Sequence, residues 1–143
     1  MLFRSHRSFH ILVAEDNAVN QMVILKLLEK LGHQGEIAPN GKKAVEAARD
    51  GNYDAILMDC HMPEMDGFEA TSEIRRSGNE IPIIALTANA MKGDAEKCLA
   101  SGMNAYMSKP VDLAKLAQEL NRWTTRAQDV AVIKPTVTPA VTA

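Results

Sequence analysis

Hydrophobic residues fall along this chain in short runs and helical stripes that alternate repeatedly. Phe9 to Ala14 (FHILVA) is a brief, β-branched apolar run ending in acids, the pattern of a buried strand. From Asn17 the spacing changes: Ile24, Leu27, Leu28 and Leu31 stand at i, i+3, i+4 and i+7, one face of a helix closed by Gly32. A weaker strand pattern at Glu36 to Ala38 precedes the turn signal Asn40-Gly41, and Ala44, Val45, Ala47 and Ala48 then give a short helix ending near Gly51. Ala55 to Met58 (AILM) and Ile83 to Leu86 (IIAL) are unbroken apolar runs, as expected of parallel strands covered by helices on both faces. A helix at Phe68 to Arg76 separates them. Another near Asp94 to Ala100 ends at Gly102, and Ala105 to Ser108 makes a fifth strand. The last helix begins with Asp112 as N-cap, carries Leu113, Leu116, Ala117 and Leu120 on one face, and includes Trp123. Beyond about Arg126 the chain turns to Val, Thr, Pro and Ala without helical period, which predicts a linker or flexible tail. The expected organisation is an extension at 1–8, one domain at 9–125 and a tail at 126–143.

Alternating strands and helices of these lengths imply an α/β fold whose parallel sheet has right-handed crossovers and helices on both sides. Such open sheets bind ligands outside the carboxyl ends of their strands. Those ends carry Glu15 and Asp16 after strand one, Asp59 after strand three, Thr87 after strand four and Lys109 after strand five; strand two offers nothing comparable. Three carboxylates converging on one edge either take up a proton or bind a cation. A cluster of oxygen ligands without histidine suits Mg²⁺ or Mn²⁺ better than zinc. Lys109 adds a positive point charge and Thr87 a hydroxyl donor, so the set would suit a phosphoryl group on Asp59. Taken singly, each residue has an ordinary structural role: an acidic pair complements a helix dipole, an acid or threonine ends a strand, and a lysine is solvated. Their coincidence at the ligand-binding edge is what points to chemistry.

Composition narrows the partners. The chain of 143 residues is one-domain sized, and its 46% hydrophobic and 24% charged residues are those of a globular protein. A net charge of -2 with interspersed signs gives neither a basic field for nucleic acid nor a polybasic strip for direct membrane contact. Cys60 and Cys98 lack metal-site or disulfide-framework spacing and read as free thiols of a reducing compartment. No apolar run approaches the roughly 20 residues of a membrane span. The opening MLFRSHRSFH lacks the apolar centre of a signal peptide. The expected location is therefore the cytoplasm.

The wording around these residues resembles the receiver domains of bacterial response regulators over most of the chain. ILVAEDNAVNQ resembles that family's acidic-pair motif, MDCHMPEMDGFEAT its phosphoacceptor motif, PIIALTANA its threonine motif and AYMSKPVD its lysine-proline motif. The resemblance implies a flavodoxin-like sheet in the order 2-1-3-4-5, with Asp59 as the phosphoacceptor. It places Mg²⁺ on Glu15, Asp16, Asp59 and the backbone carbonyl of His61, with Asp16 a more direct ligand than Glu15. Thr87 and Tyr106 become a switch pair: phosphoryl oxygens draw the Thr87 hydroxyl toward Asp59, opening space for the Tyr106 ring. His61 and Asn89 become the rim positions that set how long the phosphoryl group survives, and Lys109-Pro110 is expected to be cis. The protein would be no enzyme in the usual sense, but a phosphoacceptor that assists its own phosphorylation and dephosphorylation.

EDNAVNQ and MDCHMPEMDG are most similar to receivers joined to hybrid sensor histidine kinases, which implies that the chain is a fragment, expected to be monomeric. Its partners would be the dimerisation helices of a sensor histidine kinase and a histidine phosphotransfer domain. Asn20, Met22, Val23, Pro110 and Val111 are the candidate docking residues, and Met62, Met65 and Met91 offer either an adaptable surface or ordinary packing. An aspartate-nucleophile phosphatase of the haloacid-dehalogenase type shares the sheet and the metal. It requires a second aspartate two residues after the first, where this chain has His61.

Overall fold

The computed structural model describes residues 8–88 and 92–133. Its elements alternate strictly: β1 (His10–Ala14), α1 (Ala18–Lys30), β2 (Gln34–Ala38), α2 (Gly41–Asp50), β3 (Ala55–Asp59), α3 (Gly67–Arg76), β4 (Ile83–Thr87), α4 (Lys92–Ser101), β5 (Ala105–Ser108) and α5 (Leu113–Ile133). All strands are parallel, in the order β2-β1-β3-β4-β5. The sheet's reversal point thus lies between β1 and β3, the position where open α/β sheets bind ligands.

Side-chain alternation divides the sheet into two faces. Leu12, Ile56, Met58, Ile83 and Ala85 point toward α2, α3 and α4, where Ala44, Ala48, Ala70, Ile74 and Cys98 meet them. Ile11, Val13, Leu57, Ile84 and Leu86 face α1 and α5, against Ile24, Leu28, Leu116 and Leu120. Every residue of β3 and β4 is buried, which explains why those strands read as unbroken apolar runs. Burying the side chain of Leu57 or Ile84 against α1 and α5 is worth about 2 kcal/mol each, so these central strands fix the heights of Asp59 and Thr87 firmly.

Local capping fixes where the helices begin. Asn17 accepts from the Asn20 amide at 3.0 Å and Asp112 from the Lys115 amide at 3.0 Å. Asp66 and Glu69 form a reciprocal capping box on α3. Gly32, at φ 84°, lets the chain leave α1 in the left-handed region that a side chain disfavours.

One sequence expectation is corrected at the carboxyl end. A tail is expected from 126, but α5 continues to Ile133. Arg126, Ala127 and Gln128 are good helix formers, and the first residue that cannot continue a helix is Pro135. The Val and Thr content between 130 and 143 had obscured that continuation.

Candidate functional site

The strand ends bring the expected side chains together at the top of the sheet. Asp59 closes β3 and is 4% exposed; Glu15, the first residue after β1, is fully buried, whereas Asp16 is exposed. One carboxylate oxygen from each of Glu15, Asp16 and Asp59 lies within 4.8 Å of the others. Lys109 enters from the end of β5, placing its Nζ 3.1 Å from Asp59 Oδ2 and 3.2 Å from Glu15 Oε1. The amide of His61 donates to Asp59 Oδ1 at 3.3 Å, so each oxygen of Asp59 has a partner.

Glu15 is held from below. Its Oε2 accepts from the Asn17 amide at 3.1 Å and from the Asn20 side chain at 3.4 Å, while the Gln21 side chain donates to its backbone carbonyl at 2.8 Å. Its Oε1 meets Lys109 at ion-pair distance but outside hydrogen-bonding angles, leaving a buried oxygen with no donor. A buried carboxylate oxygen without a donor beside two further carboxylates is the donor set of a hard divalent cation. The residues therefore fit Mg²⁺, with Asp16 on the solvent side and Glu15 deeper.

Electrostatics at Asp59 follow from this crowding. Burial, and then the Glu15 carboxylate, push its carboxyl above the ordinary value, against the opposing pull of Lys109 and the His61 amide. At Lys109 burial alone would lower the pKa, but the hydrogen bond and charge of Asp59, followed by the nearby Glu15 carboxylate, hold it above the ordinary lysine value. The metal-free site thus holds one cation against two buried carboxylates and an exposed third.

The loop from β3 to α3 is built around this site. Gly67 donates its amide to the Cys60 carbonyl at 2.9 Å, and a Cβ at Gly67 would collide with the Asp59 carbonyl oxygen. The glycine after Met65-Asp66 is therefore a requirement of close approach to the Asp59 backbone. Glu64 in the same loop has φ 67°, a conformation non-glycine residues seldom adopt. On the far side, Lys109-Pro110 is cis, as the resemblance implied.

Other expected residues take positions that composition could not give. Thr87 is fully buried, and its hydroxyl donates at 2.7 Å to Asp94 Oδ2 of α4. His61 is exposed at the rim, with Nε2 3.4 Å from the same Asp94 oxygen. Tyr106 is 39% exposed on β5. Asn89, the other rim position, and Met91 lie outside the described residues. Of the two readings for the loop methionines, packing holds for Met62, buried in the core, and Met65, which packs against it. Cys60 is buried with its Sγ 3.6 Å from Cys98 Sγ, and burial pushes its thiol well above the ordinary value, so it is a packing residue. Asp94 has no special place in the sequence reading, where it is only the first acid of a helix.

Comparison with known proteins decides the family. The response regulator receiver domain family matches residues 11–121. The chain belongs to the response regulator receiver domains. A probable histidine kinase 1 of Oryza sativa subsp. indica is 39% identical over 146 residues, covering 79% of this chain and 15% of that protein. Two-component system protein A of Emericella nidulans is 49% identical over 117 residues, covering 80% of this chain and 17% of that protein. The chain thus spans under a fifth of these two relatives. Among solved structures, the receiver domain of sensor histidine kinase PA1611 from Pseudomonas aeruginosa, which has a magnesium ion coordinated in its active site cleft, is 49% identical. It has a TM-score of 0.78 and covers 83% of this chain and 99% of that one. The Saccharomyces cerevisiae receiver domain of Ssk1, solved with the histidine phosphotransfer protein Ypd1, is 32% identical with a TM-score of 0.78, covering 84% of this chain and 91% of that one. Among the described residues, no helix of this receiver is long and apolar enough to cross a membrane.

Proposed function

We propose that this receiver accepts a phosphoryl group on Asp59 from a phosphohistidine, in the cytoplasmic part of a two-component relay built on a hybrid sensor histidine kinase. The observation that carries the reading is the buried Asp59 carboxylate, held by Lys109 at 3.1 Å and flanked by Glu15 and Asp16. A carboxylate oxygen of Asp59 attacks phosphorus, the phosphorus–nitrogen bond to the imidazole breaks, and an acyl phosphate forms. Lys109 stays beside the acceptor and offsets the added negative charge, which is the main work of catalysis when positioning and electrostatics dominate. Mg²⁺ held by Glu15, Asp16, Asp59 and the His61 carbonyl would supply further neutralisation of the phosphoryl oxygens. Thr87 and Tyr106 read the result, and His61 at the rim, with Asn89 two residues after Thr87 in sequence, sets its lifetime by governing access of water, so the domain assists its own dephosphorylation without being an enzyme for an external substrate.

Asp16 tests the cation. A ligand that binds only the folded state stabilises it, by about 1.4 kcal/mol at ten times its dissociation constant. Millimolar Mg²⁺ should therefore raise the melting temperature of the parent by several degrees, and Asp16→Asn should lose most of that rise. An equal response in both proteins would remove Asp16 from the site.

The face beside Asp59 supports a helical phosphohistidine partner. Met22 and Val23, which helical periodicity alone allows to face the core, are 62% and 46% exposed, and Val19 joins them at 69%. In the loop after β5 that also carries Lys109, Pro110 is exposed and Val111 half-buried, as is Asn20 on α1. An apolar patch of this kind suits a helix of a kinase dimerisation domain or of a histidine phosphotransfer bundle. Met22→Lys should slow transfer from a phosphohistidine protein about tenfold or more, while loading by acetyl phosphate, which needs no docking face, stays unchanged. Equal slowing with both donors would place Met22 in the fold rather than the interface.

A further inference from the structure

We propose that Asp94 is a positioning residue for the Thr87 hydroxyl: it holds that proton on α4 before phosphorylation, and the phosphoryl group on Asp59 has to take it from Asp94. The inference rests on Asp59 as acceptor and Thr87 as sensor, and it adds the competitor against which the sensor works.

A threonine hydroxyl has one proton to donate. In this structure that proton goes to Asp94 Oδ2, across 2.7 Å, the short distance of a bond to an ionised acceptor. The same bond is the leading cause that keeps the Asp94 carboxyl below its ordinary value. Donation to a phosphoryl oxygen on Asp59 and donation to Asp94 therefore exclude each other. Thr87 is fully buried at the end of β4, beside the β3 strand that carries Asp59, so bulk water does not take over either role.

Asp94 sits in the first turn of α4, and its side chain is only 16% exposed. When Thr87 turns to the phosphoryl group, Asp94 gives up its 2.7 Å bond and keeps the longer contact to His61 Nε2, and the first turn of α4 loses that tie to β4. The exchange couples chemistry on β3 to the position of a helix on the other side of Thr87. It also sets a threshold: part of the affinity for the phosphoryl group is spent on displacing Asp94.

Asp94 could alternatively matter only as an acid near the amino end of α4, complementing the helix dipole. The two roles separate in a mutant cycle. Beryllofluoride with Mg²⁺, a tetrahedral mimic of an acyl phosphate, is titrated into the parent, Asp94→Ala, Thr87→Ala and the double variant, with binding read by amide NMR shifts. Removing the competitor should tighten beryllofluoride binding about tenfold in Asp94→Ala, although thermal stability falls. Thr87→Ala should weaken binding, and in that background Asp94→Ala should change nothing. In Thr87→Ser, which restores the hydroxyl, the Asp94→Ala gain should return. Asp94→Asn, which keeps the side-chain volume, should give a smaller gain in the same direction and serves if the alanine variant does not fold.

An Asp94→Ala effect of the same size with and without the Thr87 hydroxyl would overturn the proposal and leave a structural role. No effect of Asp94→Ala while Thr87→Ala still weakens binding would also overturn it, leaving the sensor role of Thr87 intact. If Thr87→Ala binds beryllofluoride as the parent does, the sensor reading itself fails and the competition with it.

Discussion

Asp59→Asn should abolish phosphoryl loading by acetyl phosphate and, at the same time, make the metal-free protein more stable. The first effect follows from position. Asp59 is the carboxylate that Lys109 contacts at 3.1 Å while also having a metal-ligating set beside it. Asparagine keeps its shape but supplies no nucleophilic carboxylate. Intact-mass measurement should show one added phosphoryl group on the parent and none on the variant; loading of the variant would mean a different acceptor. The second effect follows from charge. Burial, then Glu15, raise the Asp59 pKa in the folded state, so between its ordinary and its raised value the native protein binds more protons than the unfolded chain. Stability then falls as pH rises through that window, and above the raised value the full penalty remains. Asparagine removes the penalty, for a gain of about 1 kcal/mol at neutral pH, a few degrees in melting temperature. Melts of parent and variant across pH 4–8 without Mg²⁺ should converge at the acid end and separate as pH rises. A variant less stable than the parent at neutral pH would show that Lys109 compensates the Asp59 charge more fully than the burial of both groups implies.

Much of this site could be read from the sequence because parallel strands buried on both faces announce themselves. AILM and IIAL are apolar to their last residue, so the polar residues that follow, Asp59 and Thr87, mark the edge of the sheet without any structure. The N-cap Asp112 was equally visible, being a side chain whose preference is local. What stayed hidden depends on contacts between elements. Glu15 and Asp16 are adjacent in sequence and alike in charge, yet one is fully buried and the other exposed, because Asn17, Asn20 and Gln21 fold back onto Glu15 just after β1 ends. Asp94 reads as any first-turn acid until α4 is laid against the end of β4. Met22 and Val23 carry the same apolar character as Ile24, and only the packing of α1 decides that Ile24 enters the core while its neighbours face outward. The extent of α5 was missed for a different reason: Val and Thr lower helix propensity only by fractions of a kcal/mol per residue, too little to end a helix before the proline.

Lys109→Ala should produce the largest loss of any single change at this site short of removing the acceptor. The ammonium bridges two buried carboxylates, at 3.1 Å to Asp59 and 3.2 Å to Glu15, while its own side chain remains 22% exposed. Removing one partner from a buried charge cluster leaves the others unpaired, which costs about 3–5 kcal/mol when burial is complete. Partial solvation of Lys109 reduces that to roughly 2–3 kcal/mol in the metal-free protein. The stranded carboxylates can recover stability in two ways, by binding a proton or by binding a cation. The deficit should therefore shrink as pH falls toward the range where Asp59 protonates, and the stabilisation by Mg²⁺ should exceed that of the parent, since a divalent ion meets two carboxylates with no competing ammonium. Phosphoryl loading should nevertheless stay at least a hundredfold slower at saturating Mg²⁺, because a fixed charge aimed at the transferring group contributes on that scale. Paired melts and loading time courses at several Mg²⁺ concentrations would separate the two effects. If Mg²⁺ restored loading as fully as it restored stability, Lys109 would be a structural counter-ion for Asp59 and Glu15 and nothing more.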